Sequence, residues 1–425
     1  MLESQRYADV VSFDKNARDG LRQTRGNGTR IMTADAQPRP ARPPHPSNDS
    51  SKQLGRGVPG GPGRPRRKPI RVAVLYNNDF EDTSPDGDPG YAARADVESV
   101  AGFVAEQLND GDHEAILLPV DGDLARLRAR LAEIEPDCAF NLCESLAQDT
   151  RLESAVPLVL ELLGVPFTGS PPEALSHALY KDRVKKLLEE AGVPTPGSCV
   201  MRGPDDPCDL PYPLIVKPVR EDGSVGISGK SVVHNEAELR QVVADVATSF
   251  RQACLVEQFV EGREFNVALF GFPTARVLPL SEIDFSTLPE GLPKIVSYDA
   301  KWNEGSVDDL GTVPVLMPQL PTNLAARVRR AAVDAFRAVG VRDYGRVDIR
   351  LAANGIPYVI DVNPNCDLSR YAGMARAAAG VGIDYSALVK LLVRYALRRR
   401  ARNGRKATQQ EGASHVAGAS SGASP

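Results

Sequence analysis

The stretch YGRVDIRLAANGIPYVIDVNPN, residues 344–365, decides how the rest of the chain is read. Two apolar runs flank Asn354-Gly355, a dipeptide that favours the left-handed backbone of a tight hairpin turn. Each run carries polar side chains two apart: Arg346 and Asp348 in the first, Asp361 and Asn363 in the second. Residues two apart on a strand point to the same face. If the two strands pair antiparallel, the hairpin brings both polar pairs to one place. Two carboxylates and an amide oxygen make a hard, all-oxygen donor set, which suits Mg2+ better than zinc. Such carboxylates, once buried, need a neutralising cation, and one arginine covers only part of the charge. The plain alternative is a pair of strand-end aspartates in water, with Arg346 as a surface ion-pair partner.

Working outward, 425 residues of which 42% are hydrophobic and 25% charged are enough for two or three packed domains. The net charge of −4 gives no reason to expect a nucleic-acid partner. No apolar run approaches the roughly 18–20 residues of a membrane-spanning helix. The first residues lack the apolar core of a signal peptide, so a cytoplasmic protein with no membrane partner is expected. Six cysteines are scattered with no CxxC pair, which reads as reduced thiols. Residues 35–69 hold nine prolines, five glycines and eight Lys/Arg against two Asp. Such a segment buries too little apolar surface to offset its conformational entropy, so 1–69 is expected to be a disordered tail. The Gly/Ser/Ala-rich residues 403–425 read as a second one.

Between the tails, strands and helices alternate at first. Ile70–Tyr76, Glu114–Val120 and Cys138–Leu142 read as buried strands; Val97–Leu108, Leu124–Ile134 and Glu153–Leu163 read as helices. That repetition predicts a parallel sheet covered on both faces. One helix over Glu173–Ala191 follows. A β-rich middle then runs from Pro213, with strands at Ser231–Val233, Leu255–Val260, Phe265–Phe270 and Arg276–Leu280 and helices at Glu236–Phe250 and Asn323–Val339.

Two further segments carry chemistry. In YPLIVKPVREDGSVGISGKSVV (212–233) a strand ends in Lys217, followed by Gly223, Ser224 and Gly226. Loops of this composition let backbone N–H groups close on phosphate oxygens while a lysine adds a point charge. In LVEQFVEGREFNVALF (255–270), Glu257 ends one strand and Glu264 opens the next. The connector through Phe259 and Val260 offers backbone groups to an adenine edge, and Glu264 offers a carboxylate to ribose hydroxyls. Taken singly, each acid reads more readily as a surface residue.

Together these pieces resemble the ATP-grasp superfamily, and within it most closely the D-alanine–D-alanine ligases. The resemblance spans about residues 70–400 and keeps the family order. LELLGVPFTGS (160–170) is similar to the stretch entering the central domain. LSHALYKDRVKKLLEEAGVPTP (175–196) is similar to the helix carrying a phosphate-contacting lysine, here Lys181. VKPVREDGSVGIS (216–228) resembles the second lysine, Lys217, with its phosphate-covering loop. YDAKW (298–302) places Lys301 as a further phosphate or intermediate contact. YGRVDIR and YVIDVNPN match the family's arginine and Mg2+ ligands. Three segments depart from the pattern: NNDF (77–80), NLCESLAQDTR (141–151) and NPNCDLSRYAG (363–373). The second and third fall where these ligases contact their amino acids.

The resemblance implies an α/β (α+β) protein, an ATP-grasp fold preceded by an N-terminal parallel-sheet, Rossmann-like domain. Its expected divisions are 70–172, a central subdomain at 173–260, and a C-terminal subdomain with the metal site at 261–402. It implies ATP, Mg2+ or Mn2+ with two ions, small amino-acid or peptide substrates, and a homodimer. A substrate carboxylate attacks the γ-phosphate to give an acyl phosphate, which an amine then displaces. Asp348, Asp361 and Asn363 hold the metal. Lys181, Lys217 and Lys301 surround the phosphates, and Arg346 stabilises the oxyanion. Glu98 anchors an ammonium group, and Ser369 with Arg370 takes a substrate carboxylate. Two other readings stand beside this one: the same chemistry on different amino acids or peptides, and a nucleotide-binding regulatory protein without turnover.

Overall fold

The computed structural model describes residues 68–78 and 97–419, with side chains through residue 402. The expected N-terminal tail and the NNDF segment beyond Asn78 lie outside the described residues.

Strand β1 (Ile70–Asn77) is nearly all buried. It pairs in parallel with β2 (His113–Val120) on one side and β3 (Cys138–Asn141) on the other. A strand covered on both faces needs a continuous apolar run, and IRVAVLYN supplies it. Helix α1 (Val97–Leu108) covers one face; α2 (Leu124–Ile134) and α3 (Ala155–Leu162) cover the other. Pro157 sits in the first turn of α3, where its missing N–H costs no helical bond.

The expected helix over Glu173–Ala191 is two helices, α4 (Pro172–Leu179) and α5 (Lys181–Glu190). Tyr180 between them is extended, at φ −98° and ψ 98°. The break frees the Lys181 N–H to bond the carbonyl of Val219 at 3.1 Å. It thereby sets Lys181 at the head of a new helix facing the centre of the molecule.

A four-stranded antiparallel sheet follows, in the order β4 (Ser198–Met201), β7 (Cys254–Gln258), β5 (Leu214–Pro218), β6 (Val232–Val233). Helix α6 (Glu236–Phe250) packs on one face through Leu239, Val243 and Val246. The expected strands at 231–233 and 255–260 are shorter than read. Ser231 closes a 3-10 turn, and the chain leaves β7 after Gln258 to form the connector.

The third sheet is antiparallel, in the order β11 (Val313–Leu316), β10 (Ser281–Asp284), β8 (Gly262–Gly271), β12 (Asp343–Ala352), β13 (Pro357–Asn363), with short β9 (Arg276–Val277) on β8. Strands β10 and β11 and the short helices α7 (Tyr298–Trp302) and α8 (Val307–Leu310) were not read from the sequence. Each is four or five residues long, too short for a hydrophobic period to register. One face of this sheet is apolar throughout and packs on α9 (Thr322–Val339), with Phe265, Val267, Val347, Ile349 and Val359 in that core. The opposite face is divided. Ala268, Phe270 and Tyr344 pack beneath β1 and α1, together with α10 (Gly373–Ala379) and α11 (Tyr385–Ala419). The rest of that face carries the charges. Helix α11 continues to Ala419, past the point where a tail was expected. Its segment RKATQQE consists mostly of strong helix formers, which outweigh the glycines around it.

Candidate active site

The two strands pair antiparallel, as a hairpin. Arg346 lies opposite Asn363 and Asp348 opposite Asp361, and Gly355 takes φ +75° in the turn. Alternation is broken once. A bulge between Asp348 and Ile349 puts an extra residue on β13. As a result Val359 and Val362 both lie in the core although they are three apart. Without that bulge, strict alternation would place Val359 on the same face as Asp361 and Asn363.

β8 adds to the same floor through Glu264 and Asn266, which lie opposite Arg350 and Asp348. Arg346 grips Asp348 with two bonds, Nε to Oδ1 at 2.8 Å and Nη2 to Oδ2 at 3.0 Å. Asn266 Nδ2 donates to Asp348 Oδ1 at 2.9 Å, and Asn363 Nδ2 lies 3.4 Å from Oδ2. The Arg346 guanidinium would lose charge to burial, but Asp348 outweighs this and holds it protonated. Asp361 faces Lys181 at 3.9 Å. Burial pushes the Asp361 carboxyl up; Lys181, Lys217, Arg346 and Lys301 overcome that, and the net shift is downward. An ionised Asp361 is what a hard cation requires.

The lysines come from three elements. Lys181 opens α5 and bonds Asp222 at 3.3 Å; burial works against its charge, but Asp361 and Asp222 raise its pKa overall. Lys217 ends β5 and reaches Glu257 Oε2 at 2.6 Å. Lys301 lies on α7, with its ammonium pushed down by desolvation and by Arg346, against the pull of Asp348 and Asp361. A fourth, Lys185, was not read from the sequence. One turn beyond Lys181, it bonds Glu257 Oε1 at 2.5 Å and Thr195 Oγ1 at 2.7 Å. Glu257 is therefore an anchor between two lysines, 1% exposed, with its carboxyl drawn down to about 2. Burial raises that carboxyl, and Lys217 with Lys185 more than reverses it. What remains for a base edge here is the backbone of the connector through Phe259 and Val260. It borders a small apolar cluster of Ile215, Val232 and Ile295 with Ile227 and Phe259.

The glycine loop after Lys217 is folded down. Gly223, Ser224 and Gly226 have φ of +61°, +64° and +76°. A Cβ on Gly226 would come within 2.6 Å of Pro218 and 3.0 Å of Phe250, so only glycine fits. Ser224 Oγ donates to the Val296 carbonyl at 2.8 Å, Trp302 Nε1 donates to the Gly223 carbonyl at 2.8 Å, and the Tyr298 N–H meets the Ile227 carbonyl at 2.8 Å. The loop is thus latched to the segment that carries Lys301.

On the opposite side, Asn365 ties the β12–β13 hairpin to the segment after β3. The Tyr344 hydroxyl donates to Asn365 Oδ1 at 2.9 Å. Asn365 Nδ2 donates to the Cys143 carbonyl at 3.1 Å and to Glu153 Oε1 at 2.9 Å. Asn77 on β1 likewise donates to Ser145. Of the residues read as substrate contacts, the Ser369 hydroxyl bonds Asp367 within its own loop, and Arg370 stacks 4.7 Å above Phe103 of α1. Glu98 is exposed in the first turn of α1, and its charge adds to burial in raising the pKa of Tyr76. The residues read as phosphate and metal contacts thus meet in one cluster, while Glu98, Ser369 and Arg370 lie around α1.

Among the described residues no three His, Cys, Asp or Glu side chains form a metal cage. Two carboxylates and an amide, facing each other across adjacent strands, fit Mg2+, which commonly takes one or two carboxylates and completes its shell with phosphate and water.

The family model described as D-ala D-ala ligase C-terminus matches residues 207–394. A D-alanine–D-alanine ligase of Chromohalobacter salexigens is 35% identical over 332 residues, covering 76% of this chain and 93% of that relative. Protein y4sG of Sinorhizobium fredii, described as uncharacterized, is 36% identical over 313 residues, covering 72% and 89%. The crystal structure of Bacillus anthracis D-alanine–D-alanine ligase complexed with ATP superposes with a TM-score of 0.61 at 22% identity, covering 79% of this chain and all of that one.

Proposed function

Because this chain belongs to the D-alanine–D-alanine ligase family of ATP-dependent ligases, we propose that it activates an amino-acid carboxylate with ATP and joins it to an amine. The observation that carries the reading is the convergence of Lys181, Lys217, Lys301 and Arg346 on Asp348 and Asp361. Phosphoryl transfer spreads negative charge over the moving group, so a site for it is built from fixed cations.

Asp348, Asp361 and Asn363 would hold Mg2+, which supplies charge neutralisation to the triphosphate when bound. Lys181 and Lys217 flank the phosphates, with Lys217 aimed by Glu257. Lys301 reaches in from α7. Arg346 is presented to the oxyanion that develops as the amine attacks the acyl phosphate. The latched loop at 222–229 excludes water, which would otherwise hydrolyse that intermediate. The base pairs with the connector backbone, and Glu264 meets the ribose. Glu98, Ser369 and Arg370 serve the amino-acid half. The site belongs in the cytoplasm, where ATP and Mg2+ are available; among the described residues no helix is long and apolar enough to cross a membrane.

D-alanine is the first substrate to test for both positions. A second reading, the same chemistry on another acid–amine pair, is favoured by NLCESLAQDTR and NPNCDLSRYAG. Asn365 in the latter is committed to Tyr344, Cys143 and Glu153. The test is ADP release and product mass over a panel of D- and L-amino acids. D-alanyl-D-alanine from D-alanine alone supports the first reading; a dipeptide only from another pair supports the second. Asp361→Ala should abolish Mg2+-dependent turnover while cooperative unfolding persists. Unchanged turnover in that variant would place the metal elsewhere.

A further inference from the structure

Arg350 belongs to none of the roles described so far, yet its guanidinium is buried, at 4% exposure. It lies directly opposite Glu264 across β12 and β8, and its Nη2 meets Glu264 Oε2 at 2.7 Å. The same guanidinium donates to the Lys294 carbonyl and lies 3.4 Å from the Gly262 carbonyl. Phe259 and Phe285 rings lie 5.4 and 5.6 Å from it. Arg350 and Phe259 also line a cavity of about 920 Å³ beside the connector, with Gly229, Val232 and Gly262.

We propose that Arg350 is the positioning residue that gives this enzyme its selectivity for the ribose of the nucleotide. The inference rests on the ATP reading above and goes beyond it by assigning the selectivity to Arg350. A lone glutamate at position 264 would swing among rotamers or take up a proton in so buried a place. Arg350 fixes one oxygen, draws the carboxyl's pKa down against the larger upward push of burial, and leaves Oε1 as the oxygen to meet ribose hydroxyls. Its fork is itself held by two backbone carbonyls, a geometry that lysine cannot reproduce.

The experiment compares KM for ATP, 2′-deoxyATP and 3′-deoxyATP in ADP release by the wild type, Arg350→Met, Arg350→Lys and the double variant Arg350→Met/Glu264→Gln. The double variant removes both charges, so it retains a folded sheet even if Arg350→Met alone does not. The wild type should prefer ATP over its deoxy forms by about tenfold or more, the worth of a hydrogen bond to a charged group. In Arg350→Met and in the double variant the preference should fall to near one, mainly through a higher KM for ATP, with Arg350→Lys between. Two results overturn the proposal: a wild-type preference preserved in either Arg350→Met background, or a wild type indifferent to the hydroxyls. A wild type with no ATP-dependent turnover on any acid–amine pair would instead fail the underlying functional reading.

Discussion

Glu257 shows how much one side chain can organise. Its carboxylate is 1% exposed and lies between Lys185 and Lys217, each within 2.6 Å. Removing one partner of such a pair leaves buried charge unmatched, at about 3–5 kcal/mol. Glu257→Gln should therefore destabilise the protein by that order at pH 7, as read by denaturant unfolding. The carboxyl titrates at about 2 in the fold against an ordinary 4.5, so the ion pairs stabilise fully above pH 4.5. Their contribution fades as pH falls from 4.5 toward 2, and the gap between wild type and variant should narrow over that window. A gap independent of pH would mean that the carboxylate does not hold the lysines.

At the scale of elements, the site depends on small interruptions of regular structure. The bulge on β13 leaves Asp361 on the charged face of the sheet while keeping Val359 and Val362 in the core. The break at Tyr180 turns what reads as one helix into two and sets Lys181 at a helix head. The loop at 222–229 is fastened by a single indole bond from Trp302 to the Gly223 carbonyl, alongside Ser224 and Tyr298 N–H. Trp302→Phe keeps the ring and removes that donor. Its expected effect is uncoupling: more ADP released than amide formed, because water reaches the acyl phosphate. A ratio that stays at one would show that the indole bond does not govern closure.

For the molecule as a whole, the catalytic sheet is shared between two cores. One of its faces rests on α9, and half of the other rests beneath the N-terminal domain and α11. Helix α11 is pinned to β12 by Arg399, which pairs with the fully buried carboxylate of Asp343 and also donates to the Phe167 carbonyl. Asp343 sits at φ +62° and receives the Gly169 N–H at 3.1 Å, so three segments meet at its side chain. Arg399→Ala should cost about 3–5 kcal/mol by leaving that carboxylate without its cation. Thermal unfolding would measure it, and a loss under 1 kcal/mol would show that α11 is held by its apolar contacts alone.

Much of this was legible in residue order. Period-two spacing gave the hairpin and its polar pairs, continuous apolar runs gave the parallel sheet, and segments matching in order gave the family, because these signals are local and survive in one dimension. Lys185, Arg350 and Asn365 were not legible, because each gains its meaning from a partner 72, 86 or 212 residues away. A lysine in an amphipathic helix and an arginine in a strand look like surface residues until another strand is laid against them. The sequence by itself determined which chemistry the chain carries. The tertiary structure alone decided which charges face each other, because burial and distance set the strength of an ion pair and neither is written in the order of the residues.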